Sequence, residues 1–182
     1  MTTRRDEGVG LDALWRGLPG HPIHPPLTDV TIGTYTFAVV AATADVLGIS
    51  TNAATHGWWL ALVFGLLSTI VTATTGFVDW LRIPNGTPLW RTTTAHMIAM
   101  LLASGVFLAA VVAGKGSFDA GNVEMGPYVL TLAGYVLMAV GGWLGGSVVF
   151  VHGMRVLNLV DEPARRAAAP VATPEKREAE GA

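Results

Sequence analysis

The chain has 182 residues, 51% of them hydrophobic and only 13% charged, with a net charge of −2 and no cysteine. A soluble domain carries roughly 25% charged residues, so the composition points to a membrane protein. The missing cysteine excludes disulfides, thiolate chemistry and cysteine-ligated iron–sulfur clusters, and no basic patch with interleaved aromatics speaks for nucleic acid.

In chain order, residues 1–20 carry Arg4, Arg5, Asp6, Glu7 and Asp12 without an apolar run, which is not the pattern of a signal peptide. Leu11, Leu14 and Trp15 beside Asp12 and Arg16 allow a short interfacial helix over 9–17 or an unstructured lead-in. Pro22, Pro25 and Pro26 predict a stiff, non-helical approach over 18–26. Four long apolar blocks follow, predicting helices over about 27–48, 57–80, 91–114 and 125–154. Gly57–Val78, Thr92–Gly114 and Met125–Met154 lack Asp, Glu, Lys and Arg altogether. A helix needs about 20 apolar residues to cross the hydrocarbon core, and continuous rather than alternating blocks favour helices over a barrel. The expected fold is therefore an all-α, integral membrane four-helix bundle over 27–154. It lies between an N-terminal segment, 1–26, and a polar tail, 155–182, rich in Ala, Pro, Arg and Glu and read as mostly disordered. No short-period repeat stands out.

Ten of the eleven Lys and Arg residues lie before the first block, between the second and third, or after the fourth; only Lys115 lies on the other side. The positive-inside rule then makes both termini cytoplasmic. Trp80 and Trp90 flank the inner boundary, and Trp58, Trp59 and Tyr128 the outer one.

Four of the five histidines fall at the inner face: His21, His24, His96 and His152. Ionisable groups at a membrane segment are costly, so their gathering suggests a site. His56 lies at the opposite face. His96 is expected about one turn inside the third helix. In the fourth helix Gly134, Gly141, Gly145 and His152 share one stripe, which turns His152 toward protein. Gly141 and Gly145 permit close packing, inside the bundle or across a homodimer. The second helix has a comparable stripe of Gly65, Ser68, Thr72, Gly76 and Asp79. Asp79 sits at the negative end of the helix dipole and needs a partner, with Arg82 the simplest. Asp29 reads as a cap of the first helix, and Asp45 as a group snorkelling to the outer interface.

Gly20-His21-Pro22-Ile23-His24-Pro25, Thr75-Gly76-Phe77-Val78-Asp79-Trp80, His96, Trp143-Leu144-Gly145-Gly146 and His152-Gly153 together resemble the bacterial membrane family known as domain of unknown function 2231. The resemblance covers about 18–157. It implies a four-helix protein of the bacterial inner membrane, with His24, Asp79, His96 and His152 at the family's polar motif positions. Some relatives are joined to Rieske-type iron–sulfur domains, which implies a redox setting and a redox partner protein.

Three functions compete. A heme b or metal site would use imidazoles from different helices, with His96 and His152 as axial ligands to heme, or His24, Asp79, His96 and His152 around a transition metal. A structural or partner-binding module would use the same groups as hydrogen-bonded architecture. A small transporter or proton pathway would use Asp29, Asp79 and the histidines, although no ionisable group lies at the midplane. No nucleophile–base pair or zinc-protease motif speaks for an enzyme.

Overall fold

The computed structural model describes residues 15–18 and 21–156. Gly17–Leu18 (β1) pairs antiparallel with His21–Pro22 (β2) ahead of the helices. Four long helices follow: α1, His24–Val46; α2, Thr51–Trp80; α3, Pro88–Ala113; and α5, Met125–Phe150, with the six-residue α4, Lys115–Ala120, before the last. All four long helices are long and apolar enough to cross a membrane. The shortest has 23 residues and, at 1.5 Å per residue, spans about 35 Å.

Local chemistry sets the ends. Pro25 and Pro26 lie inside the first turn of α1, where no intrahelical N–H bond is needed, rather than in a non-helical approach. Asp29 is therefore not a cap: the cap position is Ile23, and no side chain caps this helix. At the other end Gly48 takes φ +71°, and the Gly48 and Ile49 N–H groups close a Schellman turn on Asp45 and Ala44. α3 starts where Thr87 accepts the Trp90 N–H at 3.1 Å and Pro88 supplies a ready-made first turn.

The bundle is apolar outside and small or polar inside. Phe64, Leu67 and Ile70 of α2 and Leu101, Leu102 and Leu108 of α3 are exposed, while Thr31, Thr55, Thr72, Thr75, Thr93 and Thr131 are buried among alanines. That is the arrangement lipid selects, since burying Leu gains little from a hydrocarbon solvent while small residues bring backbones together.

A long internal repeat underlies the packing. His24, Gly33, Tyr35 and Ala38-Val39-Val40-Ala41 in α1 recur as His96, Gly105, Phe107 and Ala110-Val111-Val112-Ala113 in α3, at a constant offset of 72 residues. Gly57, Gly65, Val71 and Gly76 in α2 recur as Gly126, Gly134, Val140 and Gly145 in α5, at an offset of 69. Burial follows the repeat: Thr31, Tyr35, Ala38 and Asp45 are buried, and so are Ala103, Phe107, Ala110 and Ser117. α1 packs chiefly on α2 and α3 on α5, with lesser contacts between α2 and α3 and between α1 and α5. Exchanging the two hairpins leaves this scheme unchanged, as an approximate twofold axis between them requires.

Candidate functional site

Within each hairpin, rings from the first helix fill notches in the second. A Cβ on Gly65 would stand 2.5 Å from Tyr35, one on Gly134 2.8 Å from Phe107, one on Gly76 2.6 Å from His24, and one on Gly145 3.0 Å from His96. These four glycines are therefore sockets for aromatic and imidazole rings. Gly141 likewise faces Met100 and Ala99 of α3, whereas Gly142 has open space beside it. The small stripe of α5 thus packs against α3 inside the bundle.

The two socketed imidazoles are anchored alike. His24 Nδ1 lies 3.0 Å from the Thr72 carbonyl oxygen and 3.2 Å from Thr75 Oγ1. His96 Nδ1 lies 2.7 Å from the Gly141 carbonyl oxygen. Thr72 and Gly141 are themselves repeat equivalents, 69 residues apart. A carbonyl only accepts, so Nδ1 donates in both rings; when the ring is neutral its lone pair is then on Nε2. His24 opens α1, Asp79 lies at the end of α2 and His96 in the first third of α3, which places the three groups toward one end of the bundle. His96 lies about two turns inside α3, not one, because that helix begins at Pro88 rather than near Arg91.

The other expected site residues have separate engagements. His152 Nε2 pairs with Thr92 Oγ1 at 3.0 Å, joining the end of α5 to the start of α3. Asp79, 6% exposed, accepts from Arg16 Nε at 2.9 Å. The expected partner was Arg82 in the adjoining loop. Arg16 reaches Asp79 because β1 and β2 fold the entering chain under α2, with Gly17 at φ +76°. Arg155 Nη2 donates to the Arg16 carbonyl, so both ends of the described chain meet beneath the bundle. His21 is exposed on β2, and His56 bonds the Asn52 carbonyl at the far end. Trp15 and Arg16 are helical, whereas Gly17, the last residue of the expected 9–17 helix, opens β1; residues 9–14, and the tail beyond Val156, lie outside the described residues.

Among the described residues no group of three or more His, Asp or Glu is placed to hold a metal ion. A four-ligand set of His24, Asp79, His96 and His152 is not assembled, because Asp79 is held by Arg16 and His152 by Thr92. Two shallow apolar grooves run along outer faces, and neither is lined by a histidine.

One buried carboxylate escaped the sequence reading. Asp45 does not snorkel: it is 6% exposed, accepting from Thr55 Oγ1 at 2.7 Å and from the Val123 N–H at 2.6 Å. It ties the end of α1 to the start of α2 and to the segment before α5. The signal was available in Thr55, ten residues downstream on the next helix, but only the turn at Gly48 brings the two together.

No curated protein and no solved structure matches the chain significantly. The match to the family described as predicted membrane protein, DUF2231, spans residues 20–158, and the chain belongs to that family.

Proposed function

We propose that this multi-pass membrane protein carries a two-imidazole ligand site, His24 and His96, that would hold a heme b in a redox setting. One observation carries the reading: the paired histidines of the repeat both give Nδ1–H to a main-chain carbonyl and keep Nε2 for a ligand. Metal-binding histidines are commonly oriented in this way. Two such nitrogens fit the donor set of a heme, whereas a non-heme metal would need further ligands that the described residues do not gather. His24 replaces His152 as the partner of His96 in this reading, because the Nε2 of His152 is already engaged by Thr92. Bound heme would supply one-electron chemistry; the protein's part is to hold the rings in their glycine sockets and exclude water.

By the positive-inside rule the site faces the cytoplasm, and family membership favours a bacterial inner membrane. Mild-detergent purification with an optical spectrum and metal analysis tests the reading. A Soret band lost in both His24→Ala and His96→Ala, and kept in His152→Ala, is the expected result. A spectrum without that band, with no stoichiometric metal, rejects it.

A second reading has its own support. Every inner-face histidine except His21 has a ring nitrogen hydrogen-bonded to a carbonyl or hydroxyl inside the protein, and Asp79 has Arg16. A structural module without cofactor accounts for these bonds. In that case the histidine variants lose stability while the spectrum of the wild type is featureless above the aromatic band.

A further inference from the structure

We propose that the outer groove between α1 and α2 binds a membrane-dissolved amine, with Asp29 taking the ammonium and the groove taking its alkyl or aryl body. Asp29 is exposed on the outer face of α1. The ion pairs among the described residues are Arg16–Asp79 and Lys115–Asp119, and no hydrogen bond among them takes the Asp29 side chain. Nor does Asp29 lie at the edge of its span. Two residues on, the Thr31 hydroxyl meets Thr72, which is eight residues before Trp80 on α2. That places Asp29 about 10 Å inside the level of Trp80. Its repeat equivalent is Leu101, thirteen residues after Pro88 and twelve before Ala113, at the middle of α3. A carboxylate facing lipid at that depth is costly, and such groups pair with a partner. The other hairpin carries leucine at the same position, so the fold does not require the charge.

The groove supplies the rest of the site. Asp29 lies at the inner end of an apolar trough of about 650 Å³, lined by Val30, Gly33, Phe37, Gly57 and Phe64. Gly33 stands one turn above Asp29 on the same helix face, and a Cβ there would meet nothing within 4 Å. Open space therefore adjoins the carboxylate. The charge selects the occupant. An alkyl chain gains little in the groove over the surrounding lipid, so discrimination rests on the head. Attraction between ammonium and carboxylate is strong where water is scarce, and the same carboxylate repels an anionic amphiphile. The amine of a lipid headgroup is held at the interface with its phosphate, at the level of Trp80 and Trp90, and does not reach Asp29. A free amphiphilic amine does. The inference does not depend on heme binding.

The test uses the full chain in phosphatidylcholine bicelles and follows the thermal unfolding midpoint during titration with dodecylamine, dodecanol or phosphatidylethanolamine. Dodecylamine is expected to raise the wild-type midpoint saturably, with the other two giving little at matched mole fraction. Asp29→Leu, which installs the residue of the other hairpin, should lose the shift, with an affinity at least about tenfold weaker. Gly33→Ile keeps the carboxylate but fills the groove, and should lose the shift too. Should Asp29→Leu not fold, Gly33→Ile decides alone. An equal shift from dodecanol, an equal shift from phosphatidylethanolamine, or an undiminished dodecylamine shift in either variant would each overturn the proposal.

Discussion

Tyr35 and Phe107 stack face to face between the two hairpins, 3.8 Å between ring centroids and 8° between planes. They are repeat equivalents, each set in the glycine notch of its own hairpin, so one contact seals two pairs of helices together. Tyr35 is 1% exposed and Phe107 wholly buried. Phe107→Ala removes the stack and opens a cavity beside Gly134. A loss of about 3–5 kcal/mol is expected from large-to-small changes at buried rings. Tyr35→Phe keeps the ring and forfeits only the hydroxyl contact with Thr69 at 3.1 Å, for about 1 kcal/mol. Reversible unfolding in mixed micelles separates the two.

The glycine sockets make a graded prediction. Gly76→Ala and Gly145→Ala each push a methyl group into an imidazole, and overpacking of this kind costs about 1–3 kcal/mol. Gly142→Ala, one helix position away from the packed stripe, meets nothing within 4 Å and should stabilise by about 0.5–1 kcal/mol through helix propensity. Thermal midpoints of the three variants, measured side by side, should fall, fall and rise. A fall for Gly142→Ala would mean that its face is covered by a partner.

Arg16 and Asp79 join segments 63 residues apart. The side chains are 22% and 8% exposed, so the pair lies between the surface and buried regimes. A double-mutant cycle with Arg16→Gln and Asp79→Asn should return a coupling of about 1–2 kcal/mol. Asp79→Asn alone should loosen the entry segment, read as faster amide exchange at Gly17 and Leu18. Unchanged exchange would show that β1 and β2 are held by other contacts.

At the opposite end, Asp45→Ala strands the buried Val123 N–H, while the Thr55 hydroxyl keeps the Thr51 carbonyl as its acceptor at 2.7 Å. One buried N–H without a partner predicts a loss of about 1–3 kcal/mol, larger than the roughly 1 kcal/mol expected for Thr55→Ala. Chemical unfolding of both variants gives the comparison. Equal losses would mean that water reaches the Asp45 cavity and takes over the lost bonds.

The spans were legible because hydrocarbon thickness leaves a long uncharged run in any sequence that crosses it. Their ends were less so. α2 starts six residues before the expected boundary, since Thr51, Asn52 and His56 look like loop yet continue the helix at the interface. Arg16 as the partner of Asp79 was hidden because the pairing depends on a left-handed Gly17 and a two-residue strand pair, neither of which has a periodic signature. The repeat was in plain sight in the two Ala-Val-Val-Ala runs, each fourteen residues after a histidine. A period of about 70 residues is longer than the motifs usually compared by eye, and most of its other positions have diverged.

That divergence has a directional consequence. A pair of identical hairpins would present two equal sides to anything held at their axis. Here Asp79 occupies one buried position and Val148 its counterpart, while Thr72 and Gly141 differ in the same way. The chain therefore has one flank that holds a carboxylate–guanidinium pair and one hydrocarbon flank around nearly equivalent imidazoles. The difference is written into the protein by one carboxylate, and the Arg16 that it holds, for which the other hairpin has no counterpart at Val148.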